Sequence, residues 1–233
     1  MLSSAGQGRW RQRLFFALLA STLFLMALGL YLVFFHAPEE ATMGFVQKIF
    51  YFHVSSAWAC FLAVITGAVS TVVFLANRRD QADRLAHAAL EIGAVFGLMV
   101  LLTGPLWGYK SWGAPWKWDV RLTTFLVLEL VLFAYLLTRA FGGRGARMLS
   151  AAIAIFGTAQ IPLVYFSVDL WRGQHPPRVV AEGGLHPDMI PALVVCTTAF
   201  MLLYLSLLWM RTALGRAEAR VDELHLRIGE RDR

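Results

Sequence analysis

Apolar residues in this chain come in nearly unbroken runs separated by short polar breaks, and six of the runs are long: residues 14–35, 49–76, 85–106, 122–141, 148–168 and 190–210. As helix, roughly 20 apolar residues at about 1.5 Å each cross the ~30 Å hydrocarbon core of a bilayer. The pattern therefore predicts an all-α integral membrane protein, a bundle of six transmembrane helices. No break is long enough to bury a core of its own. Residues 1–210 read as one membrane domain and residues 211–233 as a charged tail. The first run follows Arg9, Arg11 and Arg13 in the manner of a signal peptide, but it is too long and no small-residue cleavage site follows it. It reads as an uncleaved first helix.

Composition agrees, with 58% hydrophobic and only 15% charged residues. The net charge of +6 raises the question of nucleic acid, which the placement of the 21 basic residues answers. With the N-terminus inside, fifteen fall on the cytoplasmic face: three before the first helix, Arg78, Arg79, Arg84, Arg139, Arg144 and Arg147, and six after residue 210. Lys48, Lys110, Lys117, Arg121, Arg172 and Arg178 are the six outside. That bias places both termini in the cytoplasm and makes the basic charge a topology signal, with no nucleic-acid partner.

The break between the third and fourth helices, WGYKSWGAPWKWDVRLT at residues 107–123, then lies on the outer face. It holds Trp107, Trp112, Trp116 and Trp118, followed by Asp119 and Arg121. Tryptophan favours the headgroup level, so an interfacial belt is one reading, and it suffices for single residues such as Trp10 or Trp209. Gly104, Pro105, Gly108, Gly113 and Pro115 interrupt regular helix, so the other reading is a surface-lying segment of short bent pieces. Such a shelf offers indole faces to a flat ligand, with Lys110, Lys117 and Arg121 close by to meet its carboxylates. Asp119 also suits an N-cap of the fourth helix.

Six histidines bear on the choice. His53, in KIFYFHVSSAW, sits inside the outer end of the second helix, where a polar ring is costly without a partner. A hydrogen bond to a neighbour is the alternative to a ligand role. His175, in VDLWRGQHPPRVV, lies in the outer loop after the fifth helix, at a similar depth on the same face as the tryptophans. His186, on the same loop, is its rival, and His36, near the end of the first helix, is a weaker one. His87 and His225 belong to the cytoplasmic side. Two outward histidines, an aromatic shelf and basic residues for propionates together describe a haem site with two axial imidazoles.

The run Trp107, Gly108, Trp112, Gly113, Trp116, Trp118, Asp119, Arg121, Leu122, Thr123 resembles the tryptophan-rich motif of the haem-handling family of cytochrome c maturation. FYFHVSSAW, LWRGQHP and the six-helix length are similar to the same family, over all six helices. One departure is Pro115, where members often carry another tryptophan. The resemblance implies that His53 and His175 are the axial ligands of a non-covalent haem b, and that His186 is not. It implies that Trp107, Gly108, Trp112, Trp116, Trp118, Asp119 and Arg121 cradle the porphyrin. It further implies a multi-pass protein of the bacterial inner membrane, not an enzyme, which presents haem to a membrane-anchored periplasmic haem chaperone. Its other implied partners are an ATP-binding cassette transporter pair and a small single-helix membrane subunit.

Rival classes leave their own marks. Covalent haem attachment is excluded, because Cys60 and Cys196 stand alone in helices and no C-x-x-C-H occurs; they read as packing residues. A haem transporter needs a polar path across the bilayer, for which Glu91 and Glu129 are the candidates. Glu91, near the inner end of the third helix and its arginines, reads as structural, and Glu129 as a functional suspect. Passage of haem through the chain and lateral entry from the outer leaflet both stay open. A b-type electron-transfer cytochrome would ordinarily carry histidine pairs on both sides, and only the outer pair is present. Gly93 and Gly97 permit close packing within the chain or across subunits. Leu214, Ala217, Val221, Leu224 and Ile228 form a short heptad-like stripe, either a partner contact or part of a frayed tail.

Overall fold

Lipid offers no hydrogen-bond partners to the backbone, so each apolar run closes on itself as a helix. A computed structural model describes residues 4–171, 173–176 and 179–231; Arg172 and Arg178, counted above among the outer basic residues, lie outside that set. The helices are α1 (Ser4–Tyr31), α2 (Ile49–Asn77), α3 (Asp80–Trp112), α4 (Val120–Phe141), α5 (Ala146–Leu170) and α6 (Ile190–Arg231). Each carries a stretch long and apolar enough to cross a membrane. A π turn, Leu32–His36, extends α1, and short 3-10 turns, Phe45–Lys48 and Pro187–Met189, lead into α2 and α6.

Two boundaries differ from the sequence reading. The third helix does not end at Leu106 but runs through Pro105 to Trp112, where Gly113, at φ 71°, caps it by donating its N–H to Tyr109 O. A proline deletes one helical N–H without ending the helix when the bonds on either side persist. The stretch between α3 and α4 is therefore confined to residues 113–119, and Trp107 and Trp112 ride on the last turns of α3. At the other end, α6 continues without a break from the membrane run into the charged tail, as far as Arg231.

Tight links make α2 and α3, and then α4 and α5, antiparallel neighbours. Arg78 turns the first with a left-handed φ of 53°, and Gly143 and Gly145 turn the second at 57° and 90°. α6 returns to pack on α1 and α2. The Gly93 and Gly97 pair is used within the chain, on two different neighbours: Gly93 faces Ala63 of α2, and Gly97 faces Glu129 of α4. Cys60 and Cys196 are free and buried, as packing residues should be.

The end bearing these links is locked by charge. Arg139 forks onto Asp83 at 2.9 and 3.0 Å while Arg147 Nε reaches the same carboxylate at 2.8 Å, which ties α3 to α4 and α5. Arg211 Nε meets Glu91 Oε2 at 2.6 Å and ties α6 to α3, which makes Glu91 structural as expected. The cavity lies at the opposite, loop-bearing end.

Glu129 is buried between α3 and α4, and a methyl group on Gly97 would overlap its Oε2. Gly97→Ala should therefore cost about 1–3 kcal/mol of stability through overpacking, read as a lower thermal midpoint in detergent. In a Glu129→Ala background the same change should cost little. An equal loss in both backgrounds would show that the Glu129 contact is not what Gly97 serves.

Candidate functional site

A cavity of about 390 Å³ opens at the loop-bearing end between α2, α3, α4 and α5. Its walls include His53, Trp107, Trp112, Trp116, Arg121 and His175, so residues from three separate stretches of sequence meet there.

Both histidines are held through the same ring nitrogen, Nδ1. His53 Nδ1 lies 2.9 Å from Thr103 Oγ1, and that hydroxyl donates its one proton to Met99 O at 2.6 Å. Thr103 can then only accept, so His53 Nδ1 carries the proton and Nε2 keeps its lone pair. Gly104 adjoins the ring, and a methyl group there would stand 3.4 Å from His53 Cε1, in ordinary contact. His175 Nδ1 lies 2.9 Å from Pro176 O, a carbonyl that can only accept, so its Nε2 is likewise unprotonated. Burial, and after it the Arg121 guanidinium, pushes the His175 imidazole down to about 4, which keeps it neutral at neutral pH. Neutral imidazoles with Nδ1–H held and Nε2 free are what metal ligation requires.

Asp119 is not on the cavity wall; it places residues that are. Its Oδ1 accepts from Arg121 N at 2.8 Å, the N-cap expected of it. Its Oδ2 accepts from Gln174 N at 2.5 Å and His175 N at 3.3 Å, clamping the loop after α5 to the start of α4. Burial works to raise its carboxyl, but the N–H groups of Arg121, Gln174, His175 and Leu122 outweigh that and hold it below the ordinary range. Gly173 is needed for the approach, because any Cβ there would overlap Oδ2. Lys117 Nζ adds a bond to Gln174 Oε1 at 3.3 Å.

The four tryptophans do not form one flat shelf. They pair edge to face, Trp107 with Trp112 at 5.5 Å and 86°, and Trp116 with Trp118 at 5.7 Å and 82°. Trp107, Trp112 and Trp116 line the cavity, whereas Trp118 is 77% exposed and stands outside it, as an interfacial belt residue would. Gly108 is off the wall too; it is buried under the Trp112 ring, which would press against any Cβ there at 3.0 Å. Trp116 Nε1 is buried without a partner, a donor left for something in the cavity.

The rival histidines fall elsewhere. His186 is exposed, caps the turn before α6 by accepting from Asp188 N, and does not reach the cavity. His36 is exposed at the end of the π turn. Lys110 is exposed and Lys117 is spent on Gln174, so of the expected basic trio only Arg121 lines the cavity.

Sequence reasoning missed Thr103 and Gly173. A threonine in an apolar helix usually bonds to its own backbone and gives no signal. The glycine two residues before His175 was a visible cue. It also missed the apolar walls deeper in, where Trp58, Phe61, Val100, Phe125, Val164 and Tyr165 continue the cavity.

A sequence model described as heme exporter protein C matches residues 3–227. The chain belongs to the heme exporter protein C family. Heme exporter protein C of Bradyrhizobium diazoefficiens is 37% identical over 196 residues, covering 82% of this chain and 74% of that one. The protein of the same name from Escherichia coli K12 is 32% identical over 205 residues, 84% and 82% of the two chains. A putative cytochrome c biosynthesis ccmC-like mitochondrial protein of Marchantia polymorpha is 36% identical over 182 residues, 77% and 78% of the two. With six apolar helices of spanning length, this member of the family is a multi-pass inner-membrane protein.

The Asp119 clamp has a direct test. Gly173→Ala should push the loop away from Oδ2, so the amides of residues 174 and 175 should exchange with deuterium faster, while exchange in α2 stays unchanged. Unaltered exchange in the loop would show that the carboxylate does not hold it.

Proposed function

We propose that this protein binds haem non-covalently in the loop-end cavity and delivers it to an acceptor during cytochrome c maturation. The observation that carries this reading is the pair His53 and His175, which come from distant parts of the chain to line one cavity, each with Nδ1–H engaged and Nε2 free. Two neutral imidazoles suit a b-type iron. Trp107, Trp112 and Trp116 supply aromatic wall for a planar macrocycle, and Arg121 with the unpartnered Trp116 Nε1–H supplies donors for its propionates. The names of the relatives point the same way, toward heme export and cytochrome c biosynthesis.

Bound haem supplies the reactive chemistry; the residues of this chain ligate, orient and exclude water. Thr103 and Pro176 fix the imidazole tautomers, and Asp119 holds His175 in reach. Trp118, outside the cavity, presents an indole to whatever docks there. The acceptor we propose is a membrane-anchored periplasmic haem chaperone, with an ATP-binding cassette transporter pair and a small single-helix membrane subunit as further partners. The basic bias supports cytoplasmic termini and a periplasmic cavity.

Purified protein given haem should show a low-spin absorption spectrum that His53→Ala or His175→Ala abolishes or shifts and His186→Ala leaves intact. Thr103→Val should weaken binding by roughly 10–100-fold through loss of the orienting bond. Trp116→Leu should weaken it roughly five- to 150-fold, the equivalent of about 1–3 kcal/mol of lost ring contact, and Trp118→Leu should not. Loss of haem in His186→Ala with retention in His175→Ala would overturn the ligand assignment.

Sidedness is tested with single cysteines in intact cells. An impermeant thiol reagent added from outside should label Ser111→Cys and Gln174→Cys but not Gln81→Cys. Labelling at residue 81 would invert the topology and remove the periplasmic acceptor.

A further inference from the structure

Resting on the reading of the cavity as a haem site, we propose that it opens sideways into the bilayer between α2 and α5. Trp58 and Tyr165 close this portal, and an amphipathic planar macrocycle enters through it from the lipid.

Three observations lead there. First, the cavity reaches well below its ligands. Its α2 wall runs from His53 through Ala57 and Trp58 to Phe61, which at about 1.5 Å per residue is ~12 Å further into the apolar core. A site serving only water-borne ligands has no use for a limb at that depth. Second, the limb has a floor. Phe61, Val100, Phe125 and Val164, one from each surrounding helix, are all buried, and Glu129 seated against Gly97 fills the space between α3 and α4 one turn below Phe125. The cavity is therefore no passage across the membrane, and its ligand arrives from the loop end or from the side.

Third, one seam is thin. Among the helical residues on the cavity wall, Trp58 is the exposed one, at 41%, so its indole borders the cavity and also the lipid-facing surface. Tyr165 meets it across the seam, with ring centroids 5.9 Å apart and planes tilted by 57°. Two rings thus stand between the cavity and the acyl chains. Pro162, one turn before Tyr165, removes a helical N–H from α5 and gives its last two turns a place to bend. Those turns lead into the loop that carries His175. Bending them outward separates Tyr165 from Trp58 and withdraws His175 together, so the portal and the second ligand open as one.

The test uses Trp58→Cys with Tyr165→Cys in a Cys60→Ala, Cys196→Ala background, joined by a bifunctional methanethiosulfonate and released by reductant. The protein sits in liposomes that contain haem, and uptake is followed by the ligand spectrum. Joining the pair should slow uptake by roughly tenfold or more, as a blocked gate does, and reductant should restore it. Haem bound before joining should keep its spectrum. A joined Thr22→Cys, Ser206→Cys pair, whose native hydroxyls lie 3.1 Å apart between α1 and α6, should leave uptake unchanged. Equal uptake in the joined and released portal pair would overturn the proposal.

A measurement without haem decides the portal separately. Ala57→Cys, on the cavity wall, should react with a lipid-soluble maleimide in wild-type surroundings and stop reacting when the portal pair is joined. Failure of Ala57→Cys to react would overturn the portal. Absence of haem uptake by the unmodified protein, with that labelling intact, would overturn the haem reading alone.

Discussion

The carboxylate of Asp119 joins two parts of the chain that lie 55 and 56 residues apart, and the site depends on that junction. One oxygen begins α4 and so aims Arg121; the other receives the backbone of Gln174 and His175 and so delivers the second imidazole. A carboxylate is costly to bury unless donors surround it, and here the donors are backbone N–H groups that fold only into this loop. Gly173 is the complement, the one residue type that lets the loop backbone come that close. Stability of the buried anion and geometry of the site are thus one and the same interaction.

The two ends of the bundle solve different problems in the same solvent. At the end with the tight links, Asp83 gathers two guanidiniums from neighbouring helices and Glu91 takes a third from α6, so charges are matched where helices must not part. At the loop-bearing end the described contacts are hydrogen bonds and edge-on rings around a cavity, which give more easily. A bundle fixed at one end and yielding at the other can admit a large ligand without losing its packing. Glu129, one turn below the cavity on α4, has neither oxygen partnered and occupies the only width that Gly97 leaves it. It is a buried polar group at the boundary between the fixed half and the yielding half.

Much of this was legible in the sequence because the membrane imposes a coarse code. Apolar runs of the right length gave six helices; sidedness and depth put His53, His175 and His186 on one face, and only the family resemblance preferred His175 to His186. What was not legible depended on side-chain direction. Four tryptophans within twelve residues suggested one flat shelf, whereas a helix continuing to Trp112 turns the first two a different way from the last two, and Trp118 falls outside the cavity. Proline and glycine signals pointed to a break near residue 105. The helix passes through because membrane helices tolerate a proline whose freed backbone groups find other partners, and Gly108 is occupied by the Trp112 ring rather than by a turn. Thr103 could not be found at all, since its role is defined by a residue 50 positions away.

The two imidazoles are chemically alike but mechanically different, and the difference bears on how a tightly held ligand can be given up. His53 stands on α2, buttressed by Thr103 of α3, within the most extensively packed helix pair of the molecule. His175 stands on a loop, its ring bonded among the described residues to the adjacent Pro176 carbonyl and its backbone to Asp119. On the proposed reading, displacing His53 would require two packed helices to part. Displacing His175 requires two backbone bonds to one carboxylate to lengthen. Transfer to an acceptor therefore has an easier side, and it is the side where Trp118 and the loop are exposed. On that reading, retention falls to a helix and release to a loop, which lets one site be tight while waiting and open when an acceptor docks.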